Sequence, residues 1–126
     1  MKPKFRAWHK TWEEMGKVKR IRFDDDGNVT TVLFEGKLLG VNTKIDEIAL
    51  MQSTGLKDKN DKEIFEGDIL ASETYPVNSA VEYRAKLGMW VNCLKEYSYY
   101  EYLGNVASDR KIIGNIYENP EFLEVE

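Results

Sequence analysis

Cysteine is almost missing from this chain of 126 residues: Cys93 stands alone. An internal disulfide and a cysteine-rich zinc site are therefore excluded. Histidine is as scarce, with His9 the single copy. Long apolar runs are absent as well, since none approaches the ~20 residues that a membrane helix needs. Met1-Lys2-Pro3-Lys4-Phe5 has no apolar region behind its charges of the kind a secretion signal carries. Nor is there an excess of positive charge, because 18 Lys and Arg face 22 Asp and Glu for a net charge of −4. That balance argues against a protein whose chief work is neutralising nucleic-acid phosphates, which takes clustered cations. A local basic patch stays open in Lys2, Lys4, Arg6, Lys10, Lys17, Lys19, Arg20 and Arg22. These absences lead us to expect a soluble protein of a reducing compartment, the cytoplasm, with no membrane partner.

What is present is a globular composition, with 42% hydrophobic and 12% aromatic residues, too apolar for a disordered chain. The length fits one domain, and about two-thirds of the unfolded surface can be buried at this size. Lys4-Phe5-Arg6-Ala7-Trp8 alternates in the period of a half-buried strand. Trp8, Trp12 and Met15 also suit a short helical turn over residues 10–15, closed by Gly16. Val18, Ile21 and Phe23, then Asp24-Asp25-Asp26-Gly27-Asn28, then Val29-Thr30-Thr31-Val32-Leu33-Phe34 predict a hairpin. Residues 35–40 break around two glycines, and Ile45, Ile48 and Ala49 suit either a helical face or the approach to a strand.

The organising stretch is residues 50–70. It has an apolar start at Leu50-Met51, an expected turn at Thr54-Gly55 and a polar tip at 58–62, then re-enters alternation at Ile64, Phe65 and Ile69. Pro76 marks a loop. Val81, Tyr83 and Ala85, broken by Gly88 and followed by Met89, Val91 and Cys93, predict a second hairpin with Trp90 on the face opposite Cys93. Residues 97–105 fit a strand or a short helix closed by Gly104, and residues 111–117 a last strand stopped by Asn119-Pro120. Phe65, Ile69, Ile113 and Ile116 are the expected core. The chain reads as mainly β with at most short helices.

Several of these pieces together resemble the YopX family of phage and prophage proteins. They are Lys4-Phe5-Arg6-Ala7-Trp8, Leu50-Met51-Gln52, Thr54-Gly55-Leu56-Lys57-Asp58-Lys59-Asn60, Glu63-Ile64-Phe65-Glu66-Gly67-Asp68-Ile69 and Ile113-Gly114-Asn115-Ile116-Tyr117-Glu118-Asn119-Pro120. The match reaches both ends of the chain and is loose over 16–43 and 72–110. Ser53 stands where the family commonly has an aromatic, and Asp61 where it has Gly after Asn60. A non-Gly residue at positive φ costs about 1 kcal/mol or more, which argues against a tight turn there. The resemblance implies a fold: a β-rich N-terminal part, 1–49, before an SH3-like small barrel, 50–126. It implies no catalytic residues, and fold alone carries no activity.

Candidate chemistry is thin. Asp24, Asp26, Asn28 and Glu35 fall at calcium-loop positions, but Val29 occupies the glycine position and the flanks are strands, so a hairpin tip is the better reading. Asp58, Asn60 and Lys62 place a cation on a ligand position. Glu63, Glu66 and Asp68 suggest paired carboxylates, yet acids at a strand entry more commonly bind backbone amides. His9 and Cys93 are the sole nucleophile–base candidates, and Cys93 alternates like a buried apolar residue without an activating neighbour.

The aromatic group Tyr83, Trp90, Tyr97, Tyr99, Tyr100 and Tyr102 is the remaining signal. Such side chains fill a core or subunit interface, hold an extended peptide, or stack on bases. We expect Trp90, Tyr97, Tyr99, Tyr100 and Tyr102 to form an interaction surface. On this reading the protein is a non-enzymatic phage accessory protein in the host cytoplasm, without cofactor or metal, working through protein contacts and a homo-oligomer. The alternative is nucleic-acid binding by the N-terminal basic residues with the tyrosines; an enzyme ranks last.

Overall fold

The structure is a computed structural model and describes residues 4–74, 76–94 and 98–124. Its strands are β1 (Phe5–His9), β2 (Glu14–Phe23), β3 (Val29–Glu35), β4 (Val41–Lys44), β5 (Ile48–Lys57), β6 (Glu63–Phe65), β7 (Asp68–Ser72), β8 (Ser79–Arg84), β9 (Met89–Leu94), β10 (Tyr99–Tyr102) and β11 (Arg110–Asn115). One α-helical turn, α1 (Leu103–Val106), follows β10 directly, and 3₁₀ turns occupy Ile45–Glu47, Ala107–Asp109 and Pro120–Leu123. The protein is mainly β, as its patterning predicts. The chain divides into two compact units, Met1–Gln52 and Ser53–Glu126, and β5 runs from the first into the second.

In the first unit the strand order is β4-β3-β2-β1-β5, all antiparallel. The expected β2–β3 hairpin is present. Its tip is closed by Asp24, whose Oδ1 accepts the Asp26 and Asn28 amides at 2.9 Å each, with Gly27 at φ +86°. No helix spans residues 10–15. Residues 10–13 instead make the β1–β2 turn, because a strand partner for β1 buries more backbone than one helical turn would satisfy. Gly16 therefore lies inside β2 opposite Ala7, and a Cβ there would meet the Phe34 ring at 2.6 Å. The small pair makes room for that ring over a core of Ala7, Val32, Phe34 and Ile48.

In the second unit the chain passes straight through Thr54-Gly55. The expected turn is a bulge in β5, with Gly55 at φ +78° and the Thr54 hydroxyl donating to the Ile64 carbonyl at 2.8 Å. Reversal comes at 58–62, where Asp61 adopts φ +65° in spite of its Cβ. Asp58 makes this possible: Oδ1 accepts the Asn60 and Lys62 amides at 2.9 Å and Oδ2 accepts the Ile112 amide at 3.0 Å. The larger sheet has the order β10-β9-β8-β7-β11, and among the described residues its pairing ends at β10 and β11.

The core joins Ile64, Leu70, Val81, Leu103 and Ala107, with Leu56, Trp90 and Ile112 packed against it. Of the expected core residues, Ile69 is fully buried, whereas Phe65, Ile113 and Ile116 are half-buried. Two strand faces are reversed from expectation: Ile64 replaces Phe65, and Ile112 replaces Ile113. The cause in β11 is a bulge between Ile112 and Gly114, which breaks the alternation.

Candidate interaction surface

The family-like motifs have structural jobs. The Asp68 carboxylate is buried and accepts the Phe65 amide at 2.7 Å, so the paired-carboxylate reading fails in favour of a turn clasp. Gly67, at φ +86°, donates to the Val81 carbonyl and accepts from the Ile116 amide, each at 2.9 Å. Asn115 Oδ1 accepts the Tyr117 and Glu118 amides, and Asn119 folds over Gly114 so closely that a Cβ there would lie 2.3 Å from Asn119 Oδ1. The two longest motifs thus meet at one turn and frame the second unit.

His9 and Cys93 sit in different units, and each has a local role. His9 Nδ1 accepts the Trp12 amide at 3.1 Å and its ring stacks on Trp12 at 3.9 Å, which caps the β1–β2 turn. Cys93 does have a charged neighbour, contrary to expectation. Arg84 Nη2 lies 3.1 Å from Sγ, and the thiol donates to Glu82 Oε2 at 3.3 Å. Burial pushes the thiol pKa up, Glu82 adds to the rise, and Arg84 opposes it without prevailing. A protonated, hydrogen-bonded thiol is a poor nucleophile. Among the described residues no three or more His, Cys, Asp or Glu side chains gather to hold a metal.

Strand β10 terminates the larger sheet, and its tyrosines stand out of it. Tyr99 is 60% exposed, Tyr100 39% and Tyr102 40%. Opposite residues in the antiparallel β9–β10 pair share a face, so Tyr100 goes with Cys93 and Tyr102 with Val91, while Tyr99 goes with Leu94 and Glu101 with Asn92. The Tyr100 and Tyr102 rings meet edge to face at 6.2 Å, and the Arg84 guanidinium lies 5.7 Å from the Tyr100 centroid. Glu82, Arg84, Cys93, Ser98, Tyr99 and Tyr100 line a shallow cavity of about 480 Å³.

Trp90 is not part of this group. It lies on the other face, edge-on to Tyr83 at 5.1 Å and packed against the core. Tyr97 lies outside the described residues. Tyr100 and Tyr102 therefore share a face with Arg84, whereas Tyr99, opposite Leu94, lies on the Trp90 face. Glu82 and Arg84 were missed, although a hairpin tip at Gly88 places both on the Cys93 face by simple register.

Beneath β10 an ion-paired network fixes the strand. Glu101 Oε1 accepts from Arg110 Nη2 at 3.0 Å and from Asn92 Nδ2 at 3.1 Å, with Arg110 and Asn92 buried. A cleft of about 590 Å³ opens beside it, lined in part by Lys59, Glu73, Ser108 and Asp109. Lys59 is paired with Glu73, so the cleft's cations are already matched by carboxylates.

Comparison with known proteins follows the same outline. The family described as YopX protein matches residues 4–124. A crystal structure of protein EF1440 from Enterococcus faecalis is similar at 31% identity and TM-score 0.71, covering 98% of this chain and 99% of that one. Protein yopX from Bacillus subtilis is similar in fold at 20% identity and TM-score 0.62, covering 96% and 98%. No curated protein matches the chain. No helix among the described residues is long and apolar enough to cross a membrane.

Proposed function

The chain belongs to the YopX protein family, and from that premise we propose that it is a phage- or prophage-encoded accessory protein of the host cytoplasm that works by protein contact rather than catalysis. The observation that carries this reading is β10: a terminal strand, three exposed tyrosines, and a neighbouring cation already neutralised by Glu82 at 3.4 Å. Terminal strands recruit further strands through their free amides and carbonyls, and tyrosine gives large contact area at low entropic cost. The order β10-β9-β8-β7-β11, with a 3₁₀ turn leading into the last strand, supports an SH3-type reading of the second unit.

A second copy is the simplest partner. In an antiparallel pairing of β10 with its twin, opposite residues must share a face. Centring on Tyr100 sets Tyr99 against Glu101. Centring on Glu101 would oppose two carboxylates and run into α1, which starts at Leu103. Sedimentation equilibrium over a concentration range tests this. Self-association that Tyr99→Ser with Tyr100→Ser weakens, without lowering the melting temperature, is the expected result; a strict monomer overturns it.

A further inference from the structure

The first unit carries a charge pattern that its composition hides. Within Met1–Gln52 ten Lys and Arg face eight Asp and Glu, a balance of +2; the rest of the chain has eight against fourteen, or −6, which together restore −4. Six of the eight acids of the first unit sit at turns: Glu13 at one end of β2, Asp24, Asp25 and Asp26 at the other, and Asp46 and Glu47 in the 3₁₀ turn. Arg6, Lys17, Lys19, Arg20, Arg22 and Lys44 lie in strands, against Glu14 and Glu35.

Register decides which face they occupy. Val18 pairs with Phe34 and Ile21 with Val32, which are core positions. Lys17 pairs with Glu35, Arg20 with Leu33 and Arg22 with Thr31, and these lie on the opposite face. Thr31 pairs in turn with Lys44 and Leu33 with Asn42, so β4 adds Lys44 to that face. A bulge between Val18 and Arg20 keeps Lys17, Arg20 and Arg22 together across an odd spacing that would otherwise split them. Lys17, Arg20, Arg22 and Lys44 are all exposed. The face's single carboxylate from these strands, Glu35, is taken up by Lys19 at 4.0 Å.

We propose that this β2–β3–β4 face binds the phosphate backbone of single-stranded nucleic acid. Arg20 and Arg22 stand two residues apart, about 6.6 Å along the strand, and Lys44 lies two strands over, about 10 Å from Arg22. That is a cluster of cations on one sheet face, which complements a polyanion. A protein interface is depleted in lysine and wants a buried apolar centre. The side chains between these cations are Thr31, half-buried Leu33 and Asn42, which give hydrogen bonds and no large apolar anchor. The site is a face of an antiparallel sheet with no helix on it to enter a duplex groove, and sheet faces serve as platforms for single strands. The tyrosines of β10 have no part in it.

The test is fluorescence anisotropy with the full chain and a labelled oligothymidylate, repeated with a duplex and with polyglutamate. Three to four phosphate contacts predict a slope of log affinity on log salt of about −2 to −3. The triple reversal R20E/R22E/K44E should weaken binding ~10-fold or more by the loss of these contacts, at an unchanged melting temperature, while Y100E should not. Reversal of Lys17 is unnecessary to that outcome, and a reversal at Lys57 and Lys62 of the second unit should leave binding intact. Binding without salt dependence, binding untouched by the triple reversal, preference for the duplex, or equal binding of polyglutamate would each overturn the assignment.

Discussion

Asp58 shows how one side chain can hold a turn that its neighbours disfavour. Burial acts to raise its pKa, but the amides of Ile112, Lys62 and Asn60 together, with the Lys62 charge, hold it below the ordinary carboxylate value. The folded-state pKa is thus depressed, so the stabilisation is present above the unfolded value of about 3.9 and is lost as pH falls through the folded pKa. Acid unfolding of Asp58→Asn should accordingly be shallower below about pH 4 than that of the parent chain. At neutral pH, Asp58→Ala should cost about 2–4 kcal/mol by denaturant titration, since it strands three amides. A loss near zero would mean that the turn holds without its carboxylate.

Cys93 gives a second residue-scale prediction. Alkylation of the native thiol at neutral pH should be slow, and the two charged neighbours should act with opposite sign. Glu82→Gln should speed modification by lowering the thiol pKa, and Arg84→Gln should slow it further. Rates of iodoacetamide labelling against pH check both signs.

At the scale of elements, the strands were legible and their faces only partly so. Alternation marks β1, β2, β3, β8 and β9 in the sequence, and the Asp-Gly and Gly88 tips fix two hairpins. What alternation cannot show is a bulge, and register shifts set the faces here: at Gly55, between Val18 and Arg20, between Arg22 and Phe23, and between Ile112 and Gly114. A one-residue slip exchanges the two faces of a strand, which is why Ile64 and Ile112 fill the places expected of Phe65 and Ile113. Ile64→Ala should therefore destabilise by about 2–5 kcal/mol, and Ile113→Ala by distinctly less, in urea titration. Strand and helix both suit residues 97–105 because the described part holds both: β10 runs into α1 without a break. Composition names the tyrosines, and only register separates Tyr100 and Tyr102 from Trp90.

Glu101 belongs to the same scale, because it ties a terminal strand to β9 and β11. Removing it takes the Glu101 carboxylate from buried Arg110 and the acceptor from Asn92, which loosens the strand. Glu101→Ala should raise amide exchange through β10 before it affects β7 or β8.

On the scale of the whole molecule, the two units carry different surfaces. The first has a basic sheet face hidden by acidic turns; the second is acidic overall and presents tyrosines on a terminal strand. The motifs that reveal the family bind turns and strands to one another, through Asp58, Gly67, Asp68 and Asn115. The claim that the second unit works through β10 is tested most directly by residue-resolved amide exchange at low and high protein concentration. The account predicts that protection of Tyr99–Tyr102 rises with concentration while the other strands keep theirs. Exchange in β10 that stays constant while the protein self-associates would place the contact elsewhere and contradict it.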